Sequence, residues 1–248
     1  LGHLHEPGQP GDLPDPQLLW RRWAGVALAT YSRAREDEPP VHRSGYWIDD
    51  GGLHWDDSGC TWWELKWYGN GRAVLVGEDE SSKVKWHEPA IDLLAGAPEW
   101  LPRQYLRGLI DAYMVGCVYW CDEGAWRRAP YPEDLSDDGL DAGISALTTH
   151  EDALEKIADW LLFEPDSEMP QLCAELLDAA ERGAVTERLV RHYAEEMTRL
   201  EDEHFPEDEY DRDEFPPRTA ADIAAMFTLA QRTGLDTPTW TGTLGARH

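Results

Sequence analysis

The stretch Gly45-Tyr46-Trp47-Ile48-Asp49-Asp50-Gly51-Gly52-Leu53-His54-Trp55-Asp56 decides the reading of this chain. Aromatic and β-branched residues flank Asp50-Gly51, and an acid-Gly pair between such runs is a strong hairpin signal because glycine tolerates a tight turn. The texture continues through Thr61 to Tyr68 and Arg72 to Gly77, which face each other across Gly69-Asn70-Gly71, with Ala73-Val74-Leu75-Val76 reading as a buried strand. Met114 to Cys121 returns to strand texture. There Tyr119-Trp120-Cys121-Asp122-Glu123-Gly124-Ala125-Trp126-Arg127 echoes Tyr46 to His54: Tyr-Trp, two acids and a glycine, then a large apolar residue and a base. Two hairpins that share turn chemistry account for so short an echo.

Helical signals lie on either side. Asp15-Pro16 pairs an N-cap with proline at the first helical position, and Leu19, Trp23, Val26 and Ala27 then recur at helical spacing, which predicts a helix over 16–34. Pro89 to Gly96 reads as a short helix and Pro102 to Tyr113 as a longer one. After Tyr131-Pro132 the pattern is helical. Thr148 and Glu151 have capping-box spacing ahead of Ala153, Leu154, Ile157, Trp160 and Leu161; Met169 to Ala180 forms an apolar face closed by Gly183; Val185 to Leu200 follows; and a last helix runs from Thr219 to Gly234. The expected class is α+β: Trp-rich antiparallel hairpins with an N-terminal helix, followed by an acidic helical half. The expected organisation is a disordered 1–14, an α+β region 15–130, helices over 131–200, an acidic linker 201–217, a helix within 218–236 and a frayed 237–248.

Charge divides the chain. Residues 131–248 hold 29 of the 49 acids but only 9 of the 22 Lys and Arg. Such a field repels phosphate backbones and anionic membranes and speeds encounter with cationic proteins, so a basic protein is the expected partner and neither nucleic acid nor membrane is. The hydrophobic share of 42% is that of a folding chain. No run approaches the roughly 18 apolar residues of a membrane helix, and Leu1 to Pro16 lacks a signal-peptide pattern, so a cytoplasmic location is expected. Cys60, Cys117, Cys121 and Cys173 are too scattered for a zinc site and read as buried, reduced thiols.

No stretch specifies a chemistry: a nucleophile elbow, a P-loop and a dinucleotide-binding glycine pattern are all missing. Asp134, Ser136, Asp138 and Gly139 match the opening of an EF-hand loop, but Asp141 and Ser145 stand where an apolar residue and the bidentate Glu belong. His192 with Glu195, and Glu201 with His204, have helical metal-ligand spacing that solvated helix faces explain. No metal and no cofactor is expected. The short stretch Leu101-Pro102-Arg103-Gln104-Tyr105 resembles a helix start in SUKH-type bacterial immunity proteins, and no residue role follows from it.

Two functional expectations result. The leading one is a non-catalytic acidic binding protein, of immunity, inhibitor or adaptor type, that meets its basic partner through Glu201, Asp202, Glu203, Glu207, Asp208 and Glu209. The alternative is a ligand-binding domain or carboxylate-dependent hydrolase, because nine of the 13 tryptophans fall between Trp47 and Trp126. Its pocket would join Trp47, Trp55, Trp120 and Trp126 to Asp50 and Glu123 from the two acid-Gly hairpins. Neighbouring strand residues point to opposite faces, so Trp62 and Trp63 require two separate interfaces.

Overall fold

A computed structural model of the chain describes residues 4–32, 39, 42–161, 168–204 and 218–245. The strands β1 (Gly45–Asp49), β2 (Gly52–Asp56), β3 (Trp62–Gly69), β4 (Arg72–Glu78), β5 (Cys117–Asp122) and β6 (Ala125–Arg128) form a six-stranded antiparallel sheet in sequence order. Seven helices accompany it among the described residues: α1 (Pro16–Ala29), α2 (Arg103–Asp111), α3 (Leu140–Ile144), α4 (His150–Leu161), α5 (Met169–Arg182), α6 (Glu187–His204) and α7 (Ala220–Arg232). The α+β class is therefore the observed one.

Period-two alternation gives the sheet two buried faces. Trp63, Leu65 and Trp67 of β3, with Leu53, Trp55, Leu75, Tyr119 and Trp126, pack against α1 and α4 to α7 in the larger core. Val74, Val76, Val118 and Trp120 turn the other way, into a smaller core with Leu93, Leu94, Leu101 and Leu106, covered by residues 84–101 and α2. Trp62 and Trp63 accordingly serve the two cores separately. Because the helices after residue 131 share the larger core with the hairpins, the acidic half is packed on the sheet instead of standing apart.

Local chemistry sets the element boundaries. Asp15 caps α1 by accepting from the Gln17 and Leu18 amides at 2.9 and 3.1 Å. That helix stops at Ala29, earlier than the periodicity suggests, with Thr30 as its C-cap and the Thr30 hydroxyl donating to Val26 O at 2.9 Å; residues 33–38 lie outside the described ones. The box opening α4 is Thr149 with Asp152, one residue on from Thr148 and Glu151: the Asp152 amide donates to Thr149 Oγ1 at 3.1 Å. The Gly183 backbone, at φ +64, ends α5, with the Ala184 amide reaching Ala179 O at 2.8 Å. Residues 89–96 form turns instead of a short helix, since Asp92 draws the Leu94 amide to its carboxylate and Leu93 and Leu94 go into the smaller core. Cys60 is exposed in the turn between β2 and β3, while the other three cysteines are buried as expected.

Both segments expected to be loose are held. Between Leu4 and Pro14 the chain is tied down by Asp138, which accepts the Gly8 amide at 2.9 Å, by Arg128 donating to Gly8 O, and by the Trp126 indole donating to Pro14 O. Asp138 also accepts the Tyr119 and Tyr131 hydroxyls at 2.9 and 3.1 Å, so the residue that resembled an EF-hand ligand is a filled internal anchor. Thr237 to Gly245 runs along α1 and β3. Residues 1–3 and 246–248 lie outside the described residues.

Gly143 of α3 packs against the Trp63 indole so closely that a Cβ there would overlap the ring. Replacing Gly143 by Ala should therefore lower the unfolding free energy by about 1–3 kcal/mol in urea titrations, since a filled core yields to an added methyl only by strain.

Candidate functional site

The sequence-predicted tryptophans are placed apart. Trp55 and Trp126 lie on the helix-covered face, while Trp47 and Trp120 point the opposite way, and all four are 9% exposed or less. The β1–β2 and β5–β6 turns carrying Asp50 and Glu123 share one end of the sheet but are separated there by the β3–β4 hairpin. Asp50 accepts from Arg232 of α7 at 2.7 Å, and Glu123 occupies a turn position at φ +54. These six residues do not line a common concavity. Each hairpin has its own turn geometry too: the second uses positive φ at Glu123 and Gly124, whereas the first places its positive φ on Gly52.

A different polar constellation is assembled where β1, β2 and β3 meet α2. Register places Trp47, His54 and Glu64 side by side across three strands, and alternation adds Lys66 to the same face. The Trp47 ring stacks on the His54 imidazole, centroids 5.1 Å apart and planes at 9°. Asp49 Oδ1 accepts from the Gly51 amide at 2.6 Å and lies 2.8 Å from His54 Nε2. On the other side of the ring, Nδ1 is 3.6 Å from Glu64 Oε2. Glu64 Oε1 accepts from the Tyr105 hydroxyl at 2.8 Å and from Lys66 Nζ at 3.0 Å. Lys66 Nζ also donates to Gly51 O at 3.0 Å and sits 4.7 Å from the centre of the Tyr105 ring.

The electrostatics follow from this geometry. Burial alone would raise the Asp49 carboxyl, but the hydrogen bond and charge of His54, with the Gly51 amide, bring it down to about 2. Asp49 is thus ionised at neutral pH. Burial, followed by the charge of Glu64, pushes the Tyr105 and Tyr68 hydroxyls far up, so both stay protonated. A carboxylate–imidazole pair beside a lysine and a tyrosine has the ingredients of acid–base chemistry. Here those ingredients face one another: both His54 nitrogens point at carboxylates, and Lys66 is 2% exposed and fully engaged. The cluster fastens α2 to the sheet through Tyr105.

Alternation alone put Glu64 and Lys66 on one face, but the cross-strand register that brings His54 to Glu64 has no local signature, and the sequence reading missed it. A cavity of about 10 Å³ beside Tyr31, Tyr46 and Leu229 is too small for a substrate. Among the described residues no group of three His, Cys, Asp or Glu side chains could hold a metal ion.

The other sequence-predicted residues are on α6. Glu201 makes a two-bond pair with Arg218 at 2.9 and 3.0 Å, Glu203 pairs with Arg199 at 2.8 Å, and Asp202 is exposed. Glu207, Asp208 and Glu209 lie outside the described residues. Exposed acids that make no ion pair among the described residues form a stripe instead on α4, where Glu151, Glu155 and Asp159 recur at four-residue spacing. The base nearest them in sequence, Lys156, lies over the Trp55 ring at 5.6 Å. No helix is long and apolar enough to cross a membrane among the described residues. Comparison with known proteins gives no match to a family model, a curated protein or a solved structure.

Two measurements probe the cluster. Because the folded Asp49 pKa lies below its unfolded value, its contribution is fully present above about pH 5 and is lost as pH falls towards about 2. The stability difference between wild type and Asp49→Asn should shrink by ~1–2 kcal/mol across that window, allowing for the solvent-facing third of the side chain. Glu64→Ala, which strips the buried Lys66 ammonium of its carboxylate, should cost about 3–5 kcal/mol in denaturant unfolding.

Proposed function

We propose that this chain is a non-catalytic acidic binding protein that engages a basic protein partner through the solvent face of its helical layer. The observation that carries the reading is the exposed acidic stripe Glu151, Glu155 and Asp159 on α4, which makes no ion pair among the described residues, beside α5 with its exposed Glu175. Interior charges on the opposite side of the sheet, Glu64 with Lys66 and Glu78 with Lys85, are neutralised in pairs, whereas the α4 acids face solvent. A concentrated field of one sign accelerates encounter with the opposite sign and fixes orientation on contact. The self-engaged His54 cluster and the separated tryptophans favour binding over turnover. A cytoplasmic location belongs to the same reading.

The test is affinity capture from the native host at low salt, with wild type and the E151K/E155K/D159K variant side by side. A basic protein should be retained by the wild type, released as ionic strength rises towards a few tenths molar, and held at least tenfold more weakly by the variant. Retention of no basic protein, or retention indifferent to both salt and charge reversal, refutes the reading.

A further inference from the structure

The strand β3 outruns its neighbour. Pairing with β2 ends at Leu65, opposite Leu53, and the next turn of chain, Asp49 to Gly52, bends away. Two residues later, the Trp67 amide and carbonyl on that side need a partner that the sheet does not supply. They find one in Leu244: the Trp67 amide donates to Leu244 O and the Leu244 amide donates to Trp67 O, each at 2.8 Å, as an isolated antiparallel bridge.

The whole segment from Thr237 to Gly245 is fitted to this seam. Arg21 Nη2 donates to Thr237 O and Pro238 O at 2.8 and 2.6 Å. The Trp240 ring stacks on Trp20, centroids 5.2 Å apart and planes at 17°, and meets Trp67 at 5.9 Å. The Gly245 amide donates to Asp50 O at 3.1 Å. Side chains alternate as in a strand: Thr239, Thr241 and Thr243 are exposed, while Trp240 and Leu244 turn inward about a glycine at 242. Glycine is required at three places. A Cβ on Gly242 or Gly234 would run into the Trp240 indole, and one on Gly245, at φ +82, would strike Gly51 O.

We propose that the seam formed by Trp20, Arg21, Trp67 and the Asp50-Gly51 turn is a peptide-docking groove. The chain's own 237–245 segment is its resident, and an extended partner segment of the pattern Trp-x-Gly-x-Leu takes its place. Recognition is by strand addition: Trp67 supplies main-chain hydrogen bonds that any extended peptide can make, and the Trp20–Trp67 surface selects an indole. The resident holds the groove through its covalent tether, which gives it a high effective concentration, so a partner competes once the tether or the indole contact is weakened. This groove lies on α1 and β3 and is independent of the acidic stripe on α4.

The test uses the full chain and a fluorescein-labelled peptide with the sequence of residues 237–245. Two variants loosen the resident from opposite ends: Trp240→Ala removes its indole, and Gly245→Val obstructs its seat against Gly51. Both are first confirmed as folded by circular dichroism. Each variant should bind the peptide at least tenfold more tightly than wild type does. A peptide with alanine in place of its tryptophan should fail to bind, and the Trp67 amide should exchange faster in each variant and slow again when peptide is added. Two results overturn the proposal: faster Trp67 exchange without tighter peptide binding, and Trp67 exchange unchanged from wild type. A variant that dimerises with rising concentration, in a form the peptide does not dissolve, assigns the groove to a second copy of the chain and overturns it as well.

Discussion

Alternation along β3 is the constraint on which the rest of the structure depends. From Trp62 to Tyr68 every second side chain must leave the opposite face, and the strand lies third of six, with partners on both sides. Trp63, Leu65 and Trp67 demand an apolar layer of several helices, which the chain supplies from α1 and from α3 to α7. Trp62, Glu64, Lys66 and Tyr68 demand a different cover, apolar in part and able to meet an acid and a base. That cover is residues 84–101 and α2, whose Tyr105 brings both a ring for the ammonium and a hydroxyl for the carboxylate.

The same constraint explains why the polar groups beneath α2 turn towards one another. A charge taken out of water is tolerated only when paired and hydrogen-bonded, so Glu64 and Lys66 recruit each other, with Tyr105 and Gly51 supplying further hydrogen bonds. The pairing also bears on the exterior: Glu64 with Lys66 and Glu78 with Lys85 cancel inside the sheet's second layer, whereas Glu151, Glu155 and Asp159 of the helical layer face solvent.

The legible parts of the sequence were those fixed by contacts within a few residues. The three hairpins, the caps at Asp15 and Gly183, and the two-faced use of Trp62 and Trp63 all follow from local periodicity and turn chemistry. Errors arose where a neighbour distant in sequence intervened. The Tyr119 to Arg127 echo suggested a shared pocket, but strand order put a third hairpin between the two turns. Asp138 resembled a cation ligand until Tyr119, Tyr131 and the Gly8 amide filled its oxygens. Segment 237–245 looked frayed because its anchors, Trp20, Arg21 and Trp67, lie more than 150 residues away.

By itself, then, the sequence determined the three hairpins and the longer helices, the α+β class, the period-two sorting of β3 and the sign and asymmetry of the charge, all of which depend on residue type and short spacing. Tertiary structure alone decided which carboxylates meet which bases, which tryptophans share a face, and that the unpaired end of β3 is closed by a distant segment of the same chain. The physical reason is range: periodicity and turn chemistry sort a strand's faces and close its hairpins, whereas the distant elements that cover each face are chosen by the packing of the whole chain.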